Sequence, residues 1–218
     1  MDAVAVGLVA AFATLAGANW CSVERVRSQR SQVAITKSGA TVTLVVFAGW
    51  AGEMAGDARG ALVVAVVLCL AGDILLLGRS DGRFLAGLSA FALGHAAYVV
   101  CALLVGVEGS RMTVAIGFLA VLLVFQTATK MLPGAKRHGG TAMLTGVAAY
   151  TVIISAMVLT ATGTPSWVAM VGAKLFAVSD TMIGYNRFVR SFRGADVAIM
   201  VTYHAGQLLL IAGLIAGG

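Results

Sequence analysis

The 218-residue chain is 60% hydrophobic and 11% charged, with a mean hydropathy of +0.96 and a formal net charge of +6. So much apolar surface cannot be hidden in the core of a soluble domain of this length, which excludes a water-soluble enzyme and predicts a polytopic membrane protein. The basic residues are not interleaved with aromatics, so they point to topology and anionic lipid headgroups, with no nucleic-acid partner.

A helix needs roughly 20 apolar residues to cross the hydrocarbon. Eight segments meet that need, at about 3–19, 38–54, 61–78, 84–106, 112–131, 142–162, 166–186 and 195–216. The expected fold is all-α, a single integral membrane bundle of eight transmembrane helices over residues 1–218. The first segment has the length of a signal-peptide core, and Ala16-Gly17-Ala18 looks like a cleavage site. It lacks a basic leader, however, and reads as a retained helix. The three cysteines, Cys21, Cys69 and Cys101, are odd in number and imply no disulfide framework.

Basic residues fall in alternate loops: Arg25, Arg27, Arg30 and Lys37; Arg79 and Arg83; Lys130, Lys136 and Arg137; Arg187, Arg190 and Arg193. The second and fourth loops hold only Arg59 and Arg111, and the sixth holds none. The positive-inside rule puts the odd loops in the cytoplasm and both termini outside, in a multi-pass cell membrane.

With depth assigned, the polar residues inside the spans form a pattern. Asp73 and Asp180 lie near the cytoplasmic ends of the third and seventh segments, and an ionisable group there is costly enough to mark function. Asn19, Gln126 and Thr127 lie near the same side. His95, Tyr98, Tyr150, Tyr203, His204 and Gln207 fall close to mid-membrane, while the outer half is nearly bare apart from Lys174. A polar cavity opening toward the cytoplasmic leaflet is expected. Phe84, Leu88, Phe91, His95 and Tyr98 recur at spacings of three and four, one face of a helix. The aromatic and leucine part of that stripe reads as packing, and Gly72, Gly87 and Gly94 as close-approach sites.

Gly72-Asp73-Ile74-Leu75-Leu76, the stretch Phe84 to Tyr98, Gly172 to Asp180 with Arg187-Phe188, and Tyr203-His204-Ala205-Gly206-Gln207 together resemble the YhhN family of membrane proteins. The resemblance covers nearly the whole chain. It departs at Lys37, followed here by Ser38 where the family has proline, at Lys174, and at His204. It implies a lysoplasmalogenase, a hydrolase of the vinyl ether bond of lysoplasmalogens. The implied partners are a lyso-ether phospholipid and the membrane lipids, and no cofactor or metal is called for. Vinyl ether hydrolysis needs a carbon protonated and a water activated, tasks that two carboxyl groups divide. Asp73 and Asp180 are therefore the candidate acid and base, either way round. His95, Tyr98, Tyr203 and Gln207 are expected to position water and glycerol oxygens, and Lys37, Arg187 or Arg79 to hold the phosphate.

Other readings start from the same residues. Intramembrane acids, histidines and tyrosines also build proton-coupled transporters, and His95 and His204 follow their aspartates at similar distances, a hint of four-plus-four duplication. Asp73, Asp180, His95 and His204 are metal-ligand types, although no ligand spacing motif is present. Each aspartate also has a structural reading, as partner to a buried cation or tyrosine. Gly-rich faces such as Gly206 and Gly213 leave a dimer open.

Overall fold

The computed structural model describes residues 2–25, 30–50, 52–78 and 80–218. Its elements are α1 (Ala3–Arg25), α2 (Arg30–Trp50), α3 (Gly56–Leu76), α4 (Asp81–Val105), α5 (Gly109–Ala120), a π-helical segment (Val121–Met131), α6 (Leu132–Gly163), α7 (Trp167–Phe188) and α8 (Ala195–Gly217), with no strand among the described residues. Seven helices among these are long and apolar enough to cross a membrane.

The stretch expected as the fifth span is divided into α5 and the π segment, and Pro133 follows directly. Proline withholds an amide donor and crowds the preceding turn, so a change of helix type there has a local cause. The sixth expected segment begins where α6 breaks: Gly139 and Gly140 are non-helical, and Gly140 has φ 65°, which favours glycine. The largest boundary error is in α2, which starts eight residues before the expected 38. The polar run Arg30–Lys37 is helical, so Lys37 stands within a helix rather than in a loop. Ser80 and Ser166 cap α4 and α7, each hydroxyl accepting from the amide three residues on. Asp2 does the same for Ala5 at 2.8 Å, and that amide holds its carboxyl below the ordinary range.

α8, the most buried of the candidate spans, packs chiefly on α7 and also on α1, α2 and α4, while α5 packs on α6 and the π segment on α6 and α7. Trp50 donates to Asp2 at 3.1 Å, and Gly218 lies beside Met54 and Val105, so residues 2 and 218 are at the same end. The C-terminal ends of α1, α3 and α7, and the α6 kink, lie at the other.

Apolar helices in lipid gain little by hiding from water, so close packing of small residues supplies contact instead. The tightest pairs are α3 with α4 and α7 with α8. A Cβ on Gly172 would lie 2.2 Å from the Leu210 nitrogen, one on Gly206 2.7 Å from the Phe176 nitrogen, and one on Gly213 2.2 Å from the Ala169 nitrogen. Gly206 and Gly213, the faces that left a dimer open, are used inside the bundle against α7. On the other pair, a Cβ on Gly72 would meet Phe91 at 2.5 Å and one on Gly94 the Ala65 carbonyl at 3.0 Å. Both act as the close-packing sites expected.

Gly172→Ala forces backbone apart and is expected to cost about 1–3 kcal/mol. Thermal unfolding in detergent should register this as a lowered Tm, whereas Gly7→Ala, with open space around it, should leave Tm unchanged.

Candidate functional site

Two polar centres and two cavities occupy the half of the bundle away from residues 2 and 218. The first centre is built on Asp73 of α3, which has no exposed surface. Lys37 Nζ of α2 lies 2.9 Å from its Oδ1. Oδ2 accepts from Thr41 Oγ1 and from the Tyr203 hydroxyl of α8, each at 2.7 Å. Gln207, one turn further on α8, donates to the Tyr203 oxygen at 2.9 Å, and Lys37 Nζ also lies 5.3 Å from the Tyr203 ring centroid. Both carboxylate oxygens are thus engaged, one by a cation and the other by two hydroxyl donors. Lys37 and Thr41 reach it together because residues four apart share a helix face.

The second centre is Asp180 of α7, half-buried on a cavity wall. The Tyr150 hydroxyl of α6 donates to its Oδ2. Among the described residues no cation forms an ion pair with it. Next to it, the Ser179 hydroxyl donates to the Ile199 carbonyl at 3.1 Å, fixing this turn of α7 on α8.

Asp180 faces a narrow slot of about 70 Å³ between α4, α6, α7 and the outer α5–π pair. Its walls are mainly apolar, among them Leu88, Phe91, Leu119, Ile154 and Ala177. The Phe84-Leu88-Phe91 stripe, expected as packing, is one of those walls. A second, open cavity of about 800 Å³, the mouth, lies at the helix ends and has Lys37, Asn186, Arg187 and Asp196 in its lining. Leu76, Phe84 and Ile183 line both cavities.

The two carboxyl groups therefore do not line one cavity: Asp180 is in the slot, and Asp73 is reached through Lys37 from the mouth. Phe91 touches both centres, resting on Gly72, standing edge-on to Tyr203 with centroids 6.1 Å apart, and lining the slot. His95 lies between Phe176 and Tyr150, with centroids 4.7 and 5.5 Å away, and neither ring nitrogen has a hydrogen-bond partner among the described residues. Tyr98 is buried but joins neither carboxyl.

Of the phosphate candidates, Lys37 is paired with Asp73. Arg187 pairs with Asp81 at 2.5 Å, lies 4.1 Å over the Phe84 ring and still lines the mouth. His138 Nε2 approaches the same Asp81 oxygen at 3.1 Å. Arg79 and the Gln126 side chain lie outside the described residues. The four ligand types of the metal reading do not converge: Trp20 donates to His204 Nδ1 at 3.0 Å, His95 is boxed by aromatics, and among the described residues no three His, Cys, Asp or Glu are grouped. Lys174 sits over Phe118, 5.7 Å from its centroid, away from both centres. Thr41 had not been singled out by sequence, although its four-residue step from Lys37 carries the signal. Tyr150 had been placed only by depth.

The chain matches the YhhN family over residues 32–214. It belongs to that family. Over 184 residues it is 33% identical to "Lysoplasmalogenase" of Mycobacterium tuberculosis, covering 82% of this chain and 69% of that protein. It is 31% identical over 160 residues to "Lysoplasmalogenase TMEM86B" of Homo sapiens, covering 70% of this chain and 60% of that protein. The mouse protein of the same name is also 31% identical, over 82% of this chain and 73% of its own length. No solved structure matches the chain.

Removing Lys37 leaves a buried carboxylate without its cation, which costs about 3 kcal/mol or more. Lys37→Met is expected to lower Tm sharply, and the double variant Lys37→Met/Asp73→Leu to recover much of the loss. Failure of the double variant to recover would count against the pair as a mutual constraint.

Proposed function

We propose that this YhhN-family protein is a membrane-embedded, lysoplasmalogenase-like ether hydrolase, with Asp180 as the acid and Asp73 as the anionic partner. The observation that carries the reading is a lone carboxyl on the wall of an apolar slot that meets a cationic mouth. The names of the relatives supply the bond: a vinyl ether in a lyso-ether phospholipid. α5 and the π segment together would make the eighth crossing.

In this reaction Asp180, steadied by Tyr150, gives its proton to the vinyl carbon remote from the ether oxygen. The adjacent carbon becomes an oxocarbenium ion, stabilised by the two negative centres nearby. Water adds to that carbon and surrenders a proton, which returns the acid form of Asp180. The resulting hemiacetal collapses to a fatty aldehyde and the glycerophospho-base. Asp73 takes no proton in this scheme: Lys37, Thr41 and Tyr203 occupy both of its oxygens, and it serves as the fixed partner. Tyr203 and Gln207 present hydroxyl and amide groups beside it to orient water, with His95 bracing Tyr150. Arg187 at the mouth meets the phosphate as a charge-assisted donor. Among the described residues no buried charged side chain lies at the far end of the bundle, where the buried polar groups are the hydroxyls of Thr160, Thr162 and Thr164, and this favours a hydrolase over a proton-coupled transporter.

Purified protein in detergent is expected to release free aldehyde from a lysoplasmalogen. Asp180→Asn and Asp73→Asn should each abolish release in protein that still folds, and Tyr150→Phe should reduce kcat by about 10²-fold or less. Full activity in both asparagine variants would sink the carboxyl mechanism.

The basic end of the bundle should face the cytoplasm. A fluorescent reporter that matures only in the cytoplasm, fused after Gly218, should stay dark, and a periplasmic phosphatase reporter there should be active. The reverse pattern would move the mouth to the other leaflet.

A further inference from the structure

The slot and the mouth share three wall residues, Leu76 of α3, Phe84 of α4 and Ile183 of α7. Lys37, Asn186, Arg187 and Asp196 line the mouth alone, and Asp180 lines the slot alone. Phe84 is pinned from above by the Arg187 guanidinium at 4.1 Å and from the side by Phe188, edge-on with centroids 5.7 Å apart. Arg187 is in turn tied to Asp81. The passage between the chambers is thus framed by apolar side chains, one of them in contact with a cation.

Along α7, Arg187, Ile183 and Asp180 follow at steps of four and three, so all three share a face. Arg187 and Asp180 are seven residues apart, about 10 Å along the axis. In a lyso-vinyl-ether phospholipid, seven bonds separate phosphorus from the vinyl carbon that takes the proton, an extended reach of about 8 Å at the 3.3–3.6 Å that three backbone bonds span. An arginine side chain covers the remainder.

We propose that Leu76, Phe84 and Ile183 form a collar that passes a single hydrocarbon chain from mouth to slot, with Arg187 and Asp180 spacing the phosphate from the protonated carbon. The mouth then takes the glycerophosphate headgroup and the slot the alkenyl chain. The bond cleaved is selected by its distance from the phosphate. This rests on the hydrolase reading for its chemistry but not for its path.

A saturated lyso-ether phospholipid carrying a diazirine two carbons from the ether oxygen tests the path without turnover. In lipid nanodiscs it should crosslink residues of α7 and α4 that line the slot, Ala177, Thr181 and Phe91 among them. Ile183→Trp should remove most of that labelling. Phe84→Ala should admit a probe of the same kind bearing a second acyl chain, which the unmodified protein excludes. Labelling spread over α1 and α2, or indifferent to both substitutions, overturns the collar.

For the spacing, a lysoplasmalogen analogue with one extra methylene between phosphate and glycerol should lose at least about tenfold in kcat/KM, since misplacement by about 1 Å can cost 10²-fold. Equal turnover overturns the spacing. Collar-dependent labelling with no aldehyde from any lysoplasmalogen would leave the path standing and remove the hydrolase reading.

Discussion

The arrangement depends on one ion pair, Lys37 with Asp73, placed where neither charge is cheap. A cation and an anion in hydrocarbon each lose their hydration, and their mutual attraction offsets that loss only when the geometry is close and the remaining lone pairs are used. Here the contact is 2.9 Å, and the second carboxylate oxygen takes two hydroxyl donors. Those donors come from α2 and α8, so a single carboxylate fixes three helices against one another. Glycines make this possible, because α7 closes on α8 at Gly172 and Gly206, and Phe91 can lie on α3 only where Gly72 has no Cβ.

The pair also explains why two carboxyls in one bundle need not be equivalent. Asp73 is saturated with donors and has no exposed surface, which suits a fixed negative charge. Asp180 has a phenol for a neighbour and a hydrophobic slot in front of it, which suits a group that gives up and regains a proton. In our proposal the asymmetry is one of environment, since the side chains are identical. It follows the rule that acid and base roles separate when two titratable groups are driven apart by their surroundings.

Much of this was legible in sequence. Hydropathy located α7 and α8 within about two residues, since both are uninterrupted apolar runs between polar turns. The cost of a charge in lipid singled out Asp73 and Asp180. What sequence hid had physical causes. Lys37 was read as loop because Arg30–Lys37 is polar, yet a helix whose end projects past the hydrocarbon carries polar residues without stopping. The partner of each aspartate was unreadable, since periodicity gives a face and not the neighbour across it. Tyr203 and Gln207 were legible as one face of α8 and are joined by a hydrogen bond. The Phe84-Leu88-Phe91 stripe has the same spacing whether it packs or lines a cavity, and only the position of α6 and α7 decides. Gly206 and Gly213 likewise mark a close contact without saying whether the other helix belongs to this chain.

Helix α4 connects the two centres, although it donates no carboxyl. Its stripe meets the Asp73 side through Phe91 against Gly72 and Tyr203, and the Asp180 side through His95 against Tyr150. Phe176 of α7 closes the cluster, edge-on to Phe91, His95 and Tyr203 at centroid distances of 6.3, 4.7 and 5.3 Å. Edge-to-face contacts of this kind have a preferred geometry and a close-packed interior transmits displacement. Tyr203 is therefore positioned by Phe91 and Phe176, and both of these rings also meet His95, which stands against Tyr150. A shift of α4 relative to α7 cannot loosen one centre alone. The spacing of the two carboxyls is set by this aromatic wall, and the wall in turn rests on the glycines that let α3, α4, α7 and α8 approach.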